Sequence, residues 1–140
     1  MREDRQQLAS EGQNCFVCGP KNVNGLGVRF YLEDDVCHGQ FVPSEHHCGF
    51  DGITHGGIIF SLLDDVMANT LFLQGIRCFT AKANIRFKNQ LPTGCAVNLE
   101  ARVTQQKRKV AIVAGTIRRS DDGQLIAESE ATFVVNASRA

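Results

Sequence analysis

Gly52-Ile53-Thr54-His55-Gly56-Gly57, running on through Ile58-Ile59-Phe60-Ser61-Leu62-Leu63-Asp64-Asp65-Val66-Met67, places a histidine, two glycines and an acidic pair around one predicted helix start. Gly56 and Gly57 carry no Cβ, so a ligand can approach the backbone closely. The first N–H groups of a helix lack an intrahelical partner and point outward, with the positive end of the helix dipole behind them. A polarised carbonyl oxygen or an oxyanion suits that position. From Gly56 to Asp64 the helix rises about 12 Å, a little over two turns. A substrate reaching both ends would lie along the helix rather than across it.

Outward from this stretch, Ile58, Ile59, Leu62, Leu63, Val66, Met67 and Leu71 recur at helical spacing and predict a helix from Gly56 to about Leu73. The apolar arc is wide, so the helix is expected to be buried on most sides. Before it, Val28 to Leu32 and Val36 to Val42 read as two short strands around Glu33-Asp34-Asp35. After it the texture changes to period two. From Phe79 to Lys88, one face carries Ala81, Ala83, Ile85 and Phe87 and the other Thr80, Lys82, Asn84, Arg86 and Lys88. Cys95 to Gln105, Val110 to Arg118 and Leu125 to Val135 complete the strands, with Ser120-Asp121-Asp122-Gly123 as a hairpin turn. Two strands, one long helix and four strands make an α+β domain, one antiparallel sheet against one dominant helix. The sheet must curl round the helix, which leaves edges and one face to manage. Self-association, a dimer at least, would address both.

At 140 residues the chain is large enough for one domain. We place an amino-terminal segment at 1–14, polar and frayed or loosely docked, ahead of a single domain at 15–140. The 15 basic and 15 acidic residues balance, so charge gives no case for nucleic acid or an anionic membrane. No apolar run approaches the 18 or so residues that span a bilayer. The polar start, Met1 to Gln13, does not read as a secretory signal, and a cytoplasmic setting is expected. There the six cysteines, at 15, 18, 37, 48, 78 and 95, are expected as thiols. Cys15 and Cys18 form half a zinc site, with His38, His46, His47 and Cys48 as the candidates to complete it. The alternative is a tight turn whose thiols fill small gaps, and the expectation is no metal and no cofactor.

Several motifs together resemble the hotdog fold, specifically acyl-CoA thioesterases related to the phenylacetate-pathway and 4-hydroxybenzoyl-CoA enzymes. They are Cys15-Phe-Val-Cys-Gly with Asn24-Gly-Leu, Asp51-Gly-Ile-Thr-His-Gly-Gly-Ile-Ile, Leu62-Leu63-Asp64-Asp65 with Met67, and Pro92-Thr93-Gly94. The resemblance runs from about Cys15 to Val135. It implies a curved antiparallel sheet of about six strands wrapped around a long central helix. It implies that the Gly56 N–H polarises a thioester carbonyl while His55 orients that carbonyl or the loop. Asp64 would act as general base or nucleophile, and Thr80 would stand near the attacking water. Asp64 and Thr80 would work from the opposite subunit to Gly56, in a homodimer or a homotetramer built as a dimer of dimers. The chain departs from some relatives in carrying Gly49 where they have Asn or Gln, so that helper is missing or replaced by Asp51.

The chemistry agrees independently. A thiolate leaves readily, so a carboxylate and a helix N-terminus form a minimal set for thioester cleavage. Gly57 and Asp51 join the candidate substrate-binding residues. Arg86, Lys107, Arg108 and Lys109 would form a basic rim for the coenzyme A phosphates. Against these stand plainer readings: tight packing at the glycines, a structural loop histidine at 55, a good strand residue at 80, a solvated turn at 107–109. Asp65, about 100° round the helix from Asp64, is expected at solvent, a salt bridge or a subunit contact. A non-catalytic acyl-CoA sensor on the same fold is the alternative function.

Overall fold

The computed structural model describes residues 2–136. Met1 and the last four positions of the domain expected at 15–140 lie outside the described residues. The elements are α1 (Arg5–Ser10), β1 (Tyr31–Glu33), β2 (Val36–Phe41), a 3-10 turn (Glu45–His47), α2 (Gly56–Phe72), β3 (Cys78–Phe87), β4 (Val97–Gln106), β5 (Val110–Arg119) and β6 (Leu125–Val135). The strands form one sheet in the order β1-β2-β4-β5-β6-β3, every neighbouring pair antiparallel. This is the α+β arrangement expected from the order of elements.

Alternation builds the sheet's inner face. Val97, Leu99 and Ala101 of β4, Ala111, Val113 and Ile117 of β5, and Ala127, Ala131 and Phe133 of β6 are all buried. They pack against Leu62, Leu63, Val66, Met67 and Leu71 of α2, which have no exposed surface. Each such side chain contributes about 1.5–3 kcal/mol of burial. The helix lies so close to β5 that a Cβ at Gly115 would stand 2.9 Å from Met67 Cγ. Only glycine allows that approach.

Two regions differ from the sequence reading. The amino-terminal segment, expected to be frayed or loosely docked, contains α1 and is tied down. Leu8 is buried, and Arg77 bonds both Glu3 and Glu11 at 2.9–3.0 Å. A polar segment with one apolar anchor and paired charges gives little hydropathy signal, so composition understated its docking. The first strand is also shorter than expected, three residues rather than Val28 to Leu32, because Val28 is drawn instead to the Val17 carbonyl.

The two sheet edges are unequal. β1 is a three-residue edge, whereas β3 is a ten-residue edge with Phe79 55% and Phe87 56% exposed. A long edge strand with unpaired backbone groups and exposed aromatics is a template for pairing. Among the described residues, no helix is long and apolar enough to cross a membrane.

Candidate active site

The start of α2 is built by His55. Its backbone is extended at φ −62°, ψ 136°, and its ring Nδ1 accepts a 2.7 Å hydrogen bond from the Gly57 N–H. A neutral ring that accepts at Nδ1 carries its proton on Nε2. His55 is thus the helix N-cap, a role more often filled by Ser, Thr, Asp or Asn. Glycine suits position 57, since a Cβ would lie 2.9 Å from the same Nδ1 and push the ring aside. The Gly57 N–H, expected as a substrate contact, is therefore already engaged. The Gly56 N–H makes no hydrogen bond among the described residues and remains the available donor.

Gly56 lines a cavity of about 310 Å³ with Ile53, Thr54, Ile59, Phe87 and Leu91. Thr54 was missed by the sequence reading. Its hydroxyl is buried and has no hydrogen-bond partner among the described residues, beside the one free helix N–H. A buried orphan hydroxyl is costly unless something binds it. No periodicity distinguishes such a threonine from a packing residue. The bonding that decides its role is tertiary.

Asp64 lies about 12 Å further along the helix. Its Oδ1 accepts a 2.6 Å hydrogen bond from the Thr80 hydroxyl. Strict alternation in β3 put Thr80 on the face opposite Ala83 and Ile85. The structure corrects this with a β-bulge between Thr80 and Lys82. The extra residue, Ala81, shifts the phase, so Thr80 ahead of it and Ala83 and Ile85 after it are the half-buried positions. Bulges re-aim side chains in this way, often beside functional sites. The hydroxyl occupies one carboxylate oxygen, and among the described residues no donor bonds Oδ2.

From its helical angle Asp65 was expected at solvent, a salt bridge or a subunit contact; among the described residues it forms no salt bridge and is not exposed. It is half-buried against the 15–19 loop, where the Cys15 thiol donates to it at 3.6 Å and the Asn69 amide at 3.2 Å. The loop covers that side of the helix, which no helical wheel can show. Burial holds the Asp65 carboxyl above the usual carboxylate range, and the neighbouring Asp64 charge adds to this. The thiols of Cys37 and Cys78 are pushed up to about 12 by burial first and by the nearby aspartates second.

The remaining candidates are dispersed. Asp51 is exposed in the turn before the helix. Gly49 faces His55, and a Cβ added there would fall 3.6 Å from the His55 Cα and Cδ2. A longer side chain at 49 would lie on His55. Arg86 stands across from Glu128 on β6 and shares a shallow cavity with Glu128 and Glu130. Lys107 to Lys109 lie at the β4–β5 turn, where the Lys109 carbonyl accepts from Val135. That is the other end of β6, about 23 Å along the strand. One chain therefore does not bring Arg86 and the 107–109 turn together. Nor do the proposed partners of Cys15 and Cys18 approach them. His38 pairs with Glu100 at 3.5 Å, His47 closes a capping box on Ser44, and the Cys48 thiol donates to the Glu45 carbonyl. His46 is an exposed turn residue.

Residues 51–126 match the family model described as the thioesterase superfamily. The chain belongs to the thioesterase superfamily. It is 32% identical over 95 residues to the acyl-coenzyme A thioesterase THEM4 of Xenopus laevis, covering 67% of this chain and 42% of that one. It is 29% identical over 118 residues to the acyl-coenzyme A thioesterase THEM5 of Mus musculus, covering 80% and 47%. The chain thus spans less than half the length of these curated relatives. Among solved structures, a thioesterase superfamily protein superposes with a TM-score of 0.80 at 27% identity over 87% of this chain and 60% of that one. The Escherichia coli PaaI protein, from the phenylacetic acid degradation operon, gives 0.79 at 18% identity over 93% and 94%. A Streptococcus pneumoniae thioesterase protein solved with coenzyme A gives 0.74 at 16% over 81% and 91%. The fold is the hotdog fold.

Proposed function

We propose that this chain hydrolyses an acyl-CoA thioester to the free acid and coenzyme A, in a site completed by two copies. The carrying observation is the 2.6 Å bond from Thr80 to Asp64 at one end of β3, with the free Gly56 N–H at the other end beside Phe87. About 12 Å of helix separates the carboxylate from the donor, too far to act on one carbonyl. Antiparallel pairing of two β3 edges sets the Phe87 end of one strand beside the Thr80 end of the other. That brings Gly56 and Arg86 of one copy to Asp64, Thr80 and the 107–109 turn of the second.

In this arrangement the Gly56 N–H receives the developing oxyanion. Thr80 holds Asp64 Oδ1, so Oδ2 either takes a proton from a water whose oxygen attacks the carbonyl, or attacks the carbonyl itself to form a mixed anhydride that water then opens to the free acid and the restored carboxylate. The thiolate departs and is protonated by solvent. Lys107, Arg108 and Lys109 meet the coenzyme phosphates, and Arg108→Ala should raise KM for acyl-CoA while sparing a short acyl-pantetheine. The exposed edge and its two phenylalanines support the dimer; a tetramer would pair two such dimers. Six free cysteines support work in a reducing compartment such as the cytoplasm.

Complementation tests the two-copy site. Gly56→Pro deletes the donor N–H alone, because proline suits the first helical position and His55 already has the extended backbone that precedes it. Loss of one oxyanion donor should cost about 10²–10³-fold in kcat. Mixing Gly56→Pro with Asp64→Asn and allowing subunit exchange should restore about a quarter of wild-type activity, since half the dimers each regain one intact site. No recovery despite exchange would refute a site shared between copies. Tight acyl-CoA binding with no hydrolysis by the wild type would instead identify a sensor.

A further inference from the structure

Cys15, Cys18 and Asp65 take no part in the chemistry above, yet among the described residues they are a cluster with the spacing of metal ligands. Their two Sγ atoms and one carboxylate oxygen all lie within 4.8 Å of one another. We infer that these three side chains form a site for a zinc-class divalent ion, tying the 15–19 loop to helix α2.

The geometry fits that ion. With Zn–S near 2.3 Å and Zn–O near 2.0 Å, a tetrahedral site has an S···O edge of about 3.5 Å. The Cys15 Sγ to Asp65 Oδ1 distance is 3.6 Å. The loop has the form of a metal knuckle. The Cys18 N–H donates to Cys15 Sγ at 3.5 Å, and the Gly19 N–H returns to the Cys15 carbonyl at 2.9 Å. A Cβ at Gly19 would lie 2.3 Å from the Cys15 nitrogen, so only glycine closes this turn. Asn69 stands over the cluster, its amide 3.2 Å from Asp65 Oδ2 and 3.9 Å from Cys18 Sγ. The same amide donates to the Asp65 carbonyl at 2.9 Å, so Asn69 braces the carboxylate and the fourth position falls to water. Cys18 and Asn69 also border a cavity of about 320 Å³, from which water reaches the same fourth position.

The chemistry of the donors points the same way. Two thiols are weak partners for a half-buried carboxylate. Two thiolates and a carboxylate are a soft, anionic set that matches zinc and excludes magnesium or calcium. On binding, each thiol surrenders its proton to solvent, and the two thiolates and carboxylate around a dication leave a net charge of −1.

The test is metal content of the untagged full-length chain, followed by cobalt substitution. About one zinc per chain is expected, and cobalt should give a thiolate-to-metal absorption. Cys18→Ser should abolish that band, and Cys48→Ser, a thiol outside the cluster, should keep it. Asp65→Asn preserves shape and so guards against misfolding. It should weaken zinc affinity by more than the roughly 10–100-fold that an outer-shell partner costs. A chain that binds no zinc as purified or after incubation with excess zinc overturns the site, and so does equal zinc retention in Cys18→Ser and Asp65→Asn.

Discussion

Asp64 and Asp65 are the same residue type on adjacent positions of one helix, yet the fold gives them opposite surroundings. Asp64 faces the β3 edge and meets a strand hydroxyl at 2.6 Å. Asp65 faces the 15–19 loop and meets the Cys15 thiol and the Asn69 amide at 3.2–3.8 Å. The difference teaches that a 100° step round a buried helix is enough to give two carboxylates unlike partners, a strand hydroxyl for one and a loop thiol for the other. On one side lies the exposed edge strand β3, where we propose that a second copy pairs. On the other a cysteine loop closes over the carboxylate.

The comparison breaks most easily at Asp64. Asp64→Asn should lower kcat for acyl-CoA hydrolysis by about 10²–10⁴-fold, as read by free-thiol release. The same change at Asp65 should leave kcat within a few-fold. Equal losses at both positions would erase the division of labour.

Thr80 sharpens it. Thr80→Val removes one hydrogen bond to a charged group, worth about 1.5–3 kcal/mol. That converts to about 10–100-fold in kcat/KM, and Thr80→Ser should rescue most of it. A Val variant as active as Ser would assign the threonine to strand packing alone.

The pH response of stability separates the two acids thermodynamically. Burial raises the Asp65 carboxyl in the folded state above its unfolded value. The folded protein then holds that proton more tightly, so metal-free stability should fall as pH rises from the ordinary carboxylate value through the raised one. Asp65→Asn mimics the protonated form and should flatten this part of a denaturant-midpoint profile. An unchanged slope would place the effect elsewhere.

The smallest effect asks whether one helix start supports both sides. Gly57→Ala forces a Cβ to within 2.9 Å of His55 Nδ1 and disturbs the cap. A lost N-cap costs about 1 kcal/mol, readable as a lower thermal midpoint. A midpoint at or above wild type would show that the cap contributes nothing.

Much of this was legible in the chain. The long helix stood out because its apolar residues recur at helical spacing, and β6 matched its expected limits, Leu125 to Val135. Gly56 and Asp64 could be singled out because glycine and a carboxylate have intrinsic backbone and chemical properties. The docking of the amino-terminal segment was not legible, because it depends on Arg77 reaching Glu3 and Glu11 from far along the sequence. Thr80 was read onto the wrong face because a bulge leaves no mark in a pattern of two. His55 did not announce itself as a cap, since Gly57 had to be bare of a side chain at that distance.

By itself, then, the sequence determined local matters: helix, strands, turns and the spacing between a helix start and its acid. These follow from periodicity and from the conformational limits of single residues. Only the tertiary structure decided which hydroxyl holds Asp64, which thiols surround Asp65, and that Phe87 stands beside Gly56. Those contacts join residues distant along the chain, and their geometry depends on how the sheet, the bulge and the loop pack around one helix.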